Sequence, residues 1–200
     1  MLAPTEEERT MPEAPDTACV QAAQAGEPGA LDTLIERCWG DAYRIARGIV
    51  GQSSLAEDTA QEACAQLVRT LPTLREPGAF RGWFYRLVVN AARTTLRRER
   101  HHLTQVALEE TGERIEIDAG DATLERLDIE CALQALPSMQ REAIVLHFYA
   151  DLTSKEIARV VGAPDGTIRY RLFLAKRRLR ALLAEGRDAA PAMTEVNGHA

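Results

Sequence analysis

Aromatic residues make up only 5% of this 200-residue sequence. A core must therefore be assembled from Leu, Ile, Val and Ala, as in small helical domains. No apolar run approaches the ~20 residues that a membrane-spanning helix needs, so no membrane insertion is expected. Strand-like alternation is nearly absent; only RIEID, residues 114–118, alternates, and it is short and acidic. The four cysteines, Cys19, Cys38, Cys64 and Cys131, are scattered, with no CxxC pair and no histidine at ligand spacing. That pattern excludes a zinc site or a disulfide framework and reads as reduced thiols in helices. His101 and His102 stand alone and read as a basic helix cap. No nucleophile–base set and no phosphate-binding glycine loop is present. No catalytic residue, metal or cofactor is expected, and the chain reads as a non-enzyme. The opening MLAPTEEERTMPEAPDT is acidic and proline-bearing, unlike a signal peptide, so a cytoplasmic protein is expected.

What the sequence does have is segregated charge. The net charge is −6, but it is unevenly spread. From Arg69 to Arg100 eight arginines face only Glu76 and Glu99. From Leu103 to Glu130 nine acids face Arg114 and Arg126. From Gly166 to Leu183 there are six cations and no acid. Two basic blocks are thus separated by an acidic one, an arrangement more informative than the total.

The periodicity predicts an all-α protein of two small helical domains joined by an acidic linker. Residues 1–17 are acidic, proline-rich and poor in large apolar groups, and are expected to be disordered. Residues 18–102 form the first helical block. Ala30, Leu34, Cys38 and Ala42 start one apolar stripe, ended by Gly51. Ser54 and Glu57 have capping-box spacing for a second helix, whose apolar face includes Ala60, Ala63, Cys64 and Leu67. LPTLREPG is a loop. A long helix follows to about Arg100, with Trp83 and Phe84 on its apolar stripe, where they read as core. Residues 103–122 read as the linker, although Leu103, Val106 and Ala107 would also fit a short helix. Residues 123–185 form the second block, with Ser138 as a helix cap, and residues 186–200 read as a disordered tail.

The second block carries a chemical signal. Thr153 and Glu156 form a capping box that opens TSKEIARVV. Gly162 ends that helix and Pro164 pre-sets the next. The last helix has Ile168, Leu172, Ala175, Leu179 and Leu182 as a narrow packing stripe, and cations spread over the rest. A short helix, a glycine turn and a basic second helix are the parts of a helix-turn-helix. Gly166, Thr167, Arg169, Tyr170 and Arg171 occupy its first turns, where side chains can reach base edges. Lys155, Lys176 and Arg177 are candidate phosphate contacts. By itself this leaves many classes of DNA-binding regulator open, including one that dimerises through residues 18–102.

The first block narrows the choice. SLAEDTAQEACAQLVRTL followed by FRGWFYRLVVNAARTTLRRER resembles region 2 of bacterial sigma factors. LQALPSMQREAIVLHFY through TSKEIARVVGAPDGTIRYRLFLAKRRLRALL resembles their region 4. Both halves in order, with an acidic linker, are similar to the extracytoplasmic-function (ECF) class, over about residues 25–185. The resemblance implies that Asp58, Gln61 and Glu62, neighbours on one helix face, dock on the β′ clamp helices of core RNA polymerase, with the β subunit as a further contact. It implies that Asn90 and the cations Arg93, Arg97, Arg98 and Arg100 face promoter DNA at the −10 element, while region 4 binds the −35 element. The loop from Thr70 to Gly78 would hold a flipped base. An anti-sigma factor is a further expected partner. Two positions depart from the family pattern: Thr94 stands where an acid is frequent, and Leu174 where an arginine is frequent.

Overall fold

The computed structural model describes residues 17–109 and 124–189, with side chains over 17–102 and 129–184. The extension before residue 17, the acidic stretch 110–123 with its RIEID segment, and the chain from residue 190 lie outside the described residues. The described chain is all helical, with no strand among it. Helices α1 (Thr17–Ala25), α2 (Ala30–Val50), α3 (Ser53–Thr70) and α4 (Phe80–Glu109) make the first unit. Helices α5 (Leu124–Gln134), α6 (Ser138–Tyr149), α7 (Ser154–Val161) and α8 (Asp165–Ala189) make the second.

Helix α2 buries Leu34, Cys38, Ala42, Ile45, Ala46 and Ile49, the stripe its periodicity predicts. Its end is set by Gly51, whose φ of 91° is a left-handed conformation that side-chain-bearing residues avoid. Helix α3 turns Ala56, Ala60 and Ala63 inward, and these small residues let it lie close on α2. Helix α4 supplies Phe84, Tyr85, Val88 and Ala92. Burying each large apolar side chain contributes roughly 1.5–3 kcal/mol. Phe84 is core as expected, whereas Trp83 is only half-buried and also lines a surface cleft.

Four boundaries differ from expectation. Helix α3 begins at Ser53 with Gln52 as N-cap and no side-chain cap, because the Ala56 amide already bonds the Gln52 carbonyl. Ser54 therefore sits inside the first turn, where its hydroxyl cannot cap. Helix α6 begins at Ser138 with Pro137 as N-cap, again without a side-chain cap. The backbone of α4 continues past Arg100 to Glu109, so the first part of the expected linker is helix. Helix α8 likewise continues to Ala189 through the ALLAE run, whose residues favour helix, shortening the expected tail.

The two units share one continuous core, running from Val20 to Ala175. Helix α6 packs on α2, and α7 on α4. At the α2–α6 crossing Gly48 leaves no slack: a Cβ there would lie 2.8 Å from Val145 Cγ2 and 2.9 Å from Tyr149 Cε2. Arg141 ties the seam by donating to the Ile49 carbonyl at 2.8 Å and to the Gln134 and Leu136 carbonyls at 2.6 and 3.0 Å. Ile49 and Gln134 stand at helix ends, where carbonyls lack an intrahelical partner, and Leu136 lies just past α5.

Candidate nucleic-acid and polymerase interfaces

On α3, Asp58, Gln61 and Glu62 are all exposed, together on the side opposite the alanines that pack on α2. Glu62 accepts hydrogen bonds from Gln66 at 2.9 Å and Arg69 at 3.0 Å. The Gln66 bond, with help from Arg69, holds its carboxyl below the usual range. Asp58 and Glu62 thus present carboxylates on a firm helical backing, suited to a cationic partner surface.

On α4, Asn90, Arg97, Arg98 and Arg100 are exposed. Thr94, at the position where an acid is frequent in the family pattern, donates to the Asn90 carbonyl at 3.0 Å. That bond engages the Asn90 backbone and not its side-chain amide. Arg93 is placed differently: it grips Glu142 of α6 in a bidentate pair, at 2.9 and 2.7 Å. Glu142 is 7% exposed and Arg93 41%. The Glu142 hydrogen bonds push the Arg93 guanidinium pKa further up. Buried carboxylates require such a partner.

The loop between α3 and α4 is braced from behind. Two short 3₁₀ turns, Leu71–Thr73 and Pro77–Ala79, shape it. The Gln24 side chain of α1 donates to the Leu71 and Leu74 carbonyls at 3.0 and 2.7 Å. At the start of α4, Arg81 lies over the Tyr85 ring and donates to its hydroxyl, which in turn donates to Asp41 at 2.7 Å. Burial pushes the Tyr85 hydroxyl up to about 12, so it stays a donor throughout the physiological range.

The helix-turn-helix geometry is present in α7 and α8. Both bonds of the Thr153–Glu156 capping box are made, and Gly162 closes α7 at φ 72°. Ile168, Leu172 and Ala175 anchor α8 in the core. Gly166 lies in the first turn with open space around it, and Thr167 is half-buried. Arg169 and Tyr170 project into solvent, at 70% and 62% exposure. Arg169 also reaches its own Asp165 at 3.3 Å. Arg171 and Lys176 turn toward α6: the first donates to Met139 Sδ at 3.2 Å, the second lies 3.2 Å from His147 Nε2 and over the Phe148 ring. Arg177 and Lys155 are exposed. Leu174 is half-buried, whereas its helical neighbours Tyr170, Phe173 and Arg177 are exposed.

Sequence reading did not single out Gln24, Arg81, Arg86, Arg141 or Glu142. Only Glu142 carried a signal, as an acid directly before the apolar run AIVLHF of α6; its partner lies 49 residues away. Among the described residues no group of His, Cys, Asp or Glu could hold a metal, and none of the four cysteines is in a disulfide. No described helix is long and apolar enough to cross a membrane.

Comparison with known proteins agrees with this geometry. Residues 34–102 match the family described as Sigma-70 region 2, and residues 126–179 that described as Sigma-70, region 4. The ECF RNA polymerase sigma factor SigM of Mycobacterium tuberculosis is 32% identical over 168 residues, covering 84% of each chain. The sigma factor SigV of Bacillus subtilis is 30% identical over 145 residues, covering 72% of this chain and 86% of that protein. The ECF sigma factor SigE of Mycolicibacterium smegmatis is 31% identical over 170 residues; 81% of this chain is covered, but just under two thirds, 64%, of that longer protein. Two solved structures share the fold at 22% identity. CnrH, in complex with the cytosolic domain of CnrY, superposes with a TM-score of 0.64 over 85% of this chain and 97% of its own. The sigma factor RpoE of Bartonella quintana, in complex with the anti-sigma factor NepR, gives 0.67 over 78% and 98%. Sigma factors are regulatory proteins rather than catalysts, in keeping with a surface built for contacts. With both regions matched in order and its relatives drawn from one class, the chain belongs to the ECF class of bacterial RNA polymerase sigma factors.

Proposed function

We propose that this protein binds core RNA polymerase and directs it to promoters. The observation that carries the reading is the pairing of two matched regions with three chemically distinct exposed faces. The carboxylate face of α3 docks on the β′ clamp helices through Asp58, Gln61 and Glu62. The cationic face of α4, with Asn90 among Arg93, Arg97, Arg98 and Arg100, handles the −10 element. Strand separation there needs neutralised backbone and captured bases. The braced loop from Thr70 to Gly78 provides the place for a flipped base. Helix α8 enters the major groove of the −35 element with Thr167, Arg169 and Tyr170 leading. Arg171, Lys176, Arg177 and Lys155 neutralise phosphates, two of them after leaving their contacts with α6. The complex in which RpoE was captured, with the anti-sigma factor NepR, supports an anti-sigma factor as a partner of this chain as well.

Reconstitution tests the reading. The purified chain should bind core polymerase and yield run-off transcripts from a subset of promoters in genomic fragments. A chain that neither binds core nor redirects initiation would refute it.

A further inference from the structure

Among the residues described with side chains, Met139 is the only methionine. It stands in the first turn of α6 and is 58% exposed. Methionine in a folded domain ordinarily fills irregular gaps in the core. Met139 does not, since it takes no part in the core that the two units share. What its sulfur touches instead is the DNA-reading helix. Arg171 of α8 donates to Met139 Sδ at 3.2 Å, across 32 residues of sequence. Arg171 is half-buried there, between its helix and α6. A thioether is a weak acceptor, so this hold is light. A phosphate, charged and rich in acceptor oxygens, outcompetes it for the guanidinium.

We propose that Met139 is an oxidation site through which a hydroperoxide weakens DNA reading by α8. The thioether sulfur keeps a lone pair beyond the one Arg171 engages, on a side chain open to solvent. That pair attacks the outer oxygen of the hydroperoxide. An S–O bond forms and the O–O bond breaks. The proton of the transferred OH passes to the departing oxygen, which leaves as water or an alcohol. Sulfur is oxidised by two electrons to the sulfoxide, and the peroxide is reduced by two. A strong acceptor oxygen now stands where a weak acceptor stood. Arg171 makes a charge-assisted hydrogen bond to it, stronger than one between neutral groups. The guanidinium is thereby held on α6 and withheld from phosphate. Arg169 and Tyr170 keep their exposure, so α8 loses one contact and not its fold. Sulfoxide reductases restore the thioether, which makes the change reversible. The inference rests on the promoter reading of α8 and adds to it a chemical means of weakening that reading.

The test treats the full chain with hydrogen peroxide, removes the peroxide with catalase, reduces the thiols and then adds core polymerase. Thiol reduction reverses sulfenic acids and disulfides of the cysteines, exposed Cys131 included, and leaves a sulfoxide in place. Peptide mass mapping reports the gain of one oxygen at Met139, and circular dichroism reports helicity. Promoter fragments recovered in the run-off assay serve as duplex probes. The oxidised chain, with helicity intact, is expected to bind them about tenfold more weakly, the effect of one lost arginine contact. Its slope of log affinity against log salt should fall by about one, as for one phosphate contact. Treatment with the two methionine sulfoxide reductases should restore both values. Met139→Leu should bind like the parent and ignore peroxide, although Met1, Met11 and Met193 remain oxidisable. Met139→Gln places an amide oxygen near the sulfoxide position and should bind weakly without peroxide. Arg171→Ala should bind weakly and show no response to peroxide. Unchanged binding after oxidation of Met139, or a full peroxide response in Met139→Leu, would overturn the proposal. Failure of the untreated parent to initiate from any promoter would sink the promoter reading instead.

Discussion

Thr153 and Glu156 show how much a single pair of residues can settle. Glu156 accepts from the Thr153 amide at 2.8 Å and the Thr153 hydroxyl at 2.6 Å, and the Glu156 amide donates back to that hydroxyl. The Thr153 side-chain bond, followed by the backbone bond, lowers the Glu156 carboxyl pKa. A carboxyl with a lowered folded-state pKa favours the folded chain above its ordinary range. That contribution is lost as pH falls through the lowered value. Thr153→Ala is expected to cost about 1 kcal/mol in denaturant unfolding at neutral pH. The difference from the parent should shrink as pH drops below the ordinary Glu range, because protonation disables the same cap. An undiminished difference in acid would show that the cap does not depend on the carboxylate. This device was legible beforehand, since a capping box is local and its partners are three residues apart. Ser54 and Glu57 had the same spacing and formed no cap, because the N-cap of α3 is Gln52, two residues earlier.

At the scale of elements, helix ends carry the organisation. Gly51 closes α2 in a left-handed conformation, and a Cβ there would fall 2.5 Å from the Gln134 side chain. Gln134 meanwhile donates to the Gly48 carbonyl at 3.3 Å and accepts from Arg141. Gly51→Ala therefore combines backbone strain with displacement of a side chain that helps join α2 to α5 and α6. A loss of about 1–3 kcal/mol in chemical denaturation is expected. A loss within a few tenths of that of a surface substitution would show that the turn relaxes freely. The helical stripes themselves were readable, because burial follows a period of 3.6 residues. The extension of α4 to Glu109 was not, since charged and polar residues there give a stripe too weak to separate helix from linker.

For the whole molecule, docking and DNA reading are assigned to different surfaces and should come apart. Charge reversal at Asp58 and Glu62, Asp58→Lys with Glu62→Lys, lies on an exposed helix face away from α8. It is expected to weaken binding to core polymerase by at least tenfold, about 1.4 kcal/mol. Duplex binding by the free chain should hold or rise, since two acids have become cations. Core binding at the parental level would remove α3 from the docking surface. The overall charge of −6 fits the same division. It disfavours free chain on DNA and leaves the cations effective only where they are concentrated on a face.

The sequence by itself determined most of the helices and their apolar stripes, the turn at Gly162 and the family, because each depends on local spacing or on short ordered motifs; it did not mark α1. It marked Arg93 as a cation facing DNA and passed over Glu142, Arg86 and Gly48. Only the tertiary structure decided that these residues meet across the two units. Pairing between positions 49 residues apart leaves no periodic trace. Whether an arginine meets a phosphate or a buried carboxylate depends on which surface is brought within about 3 Å of it.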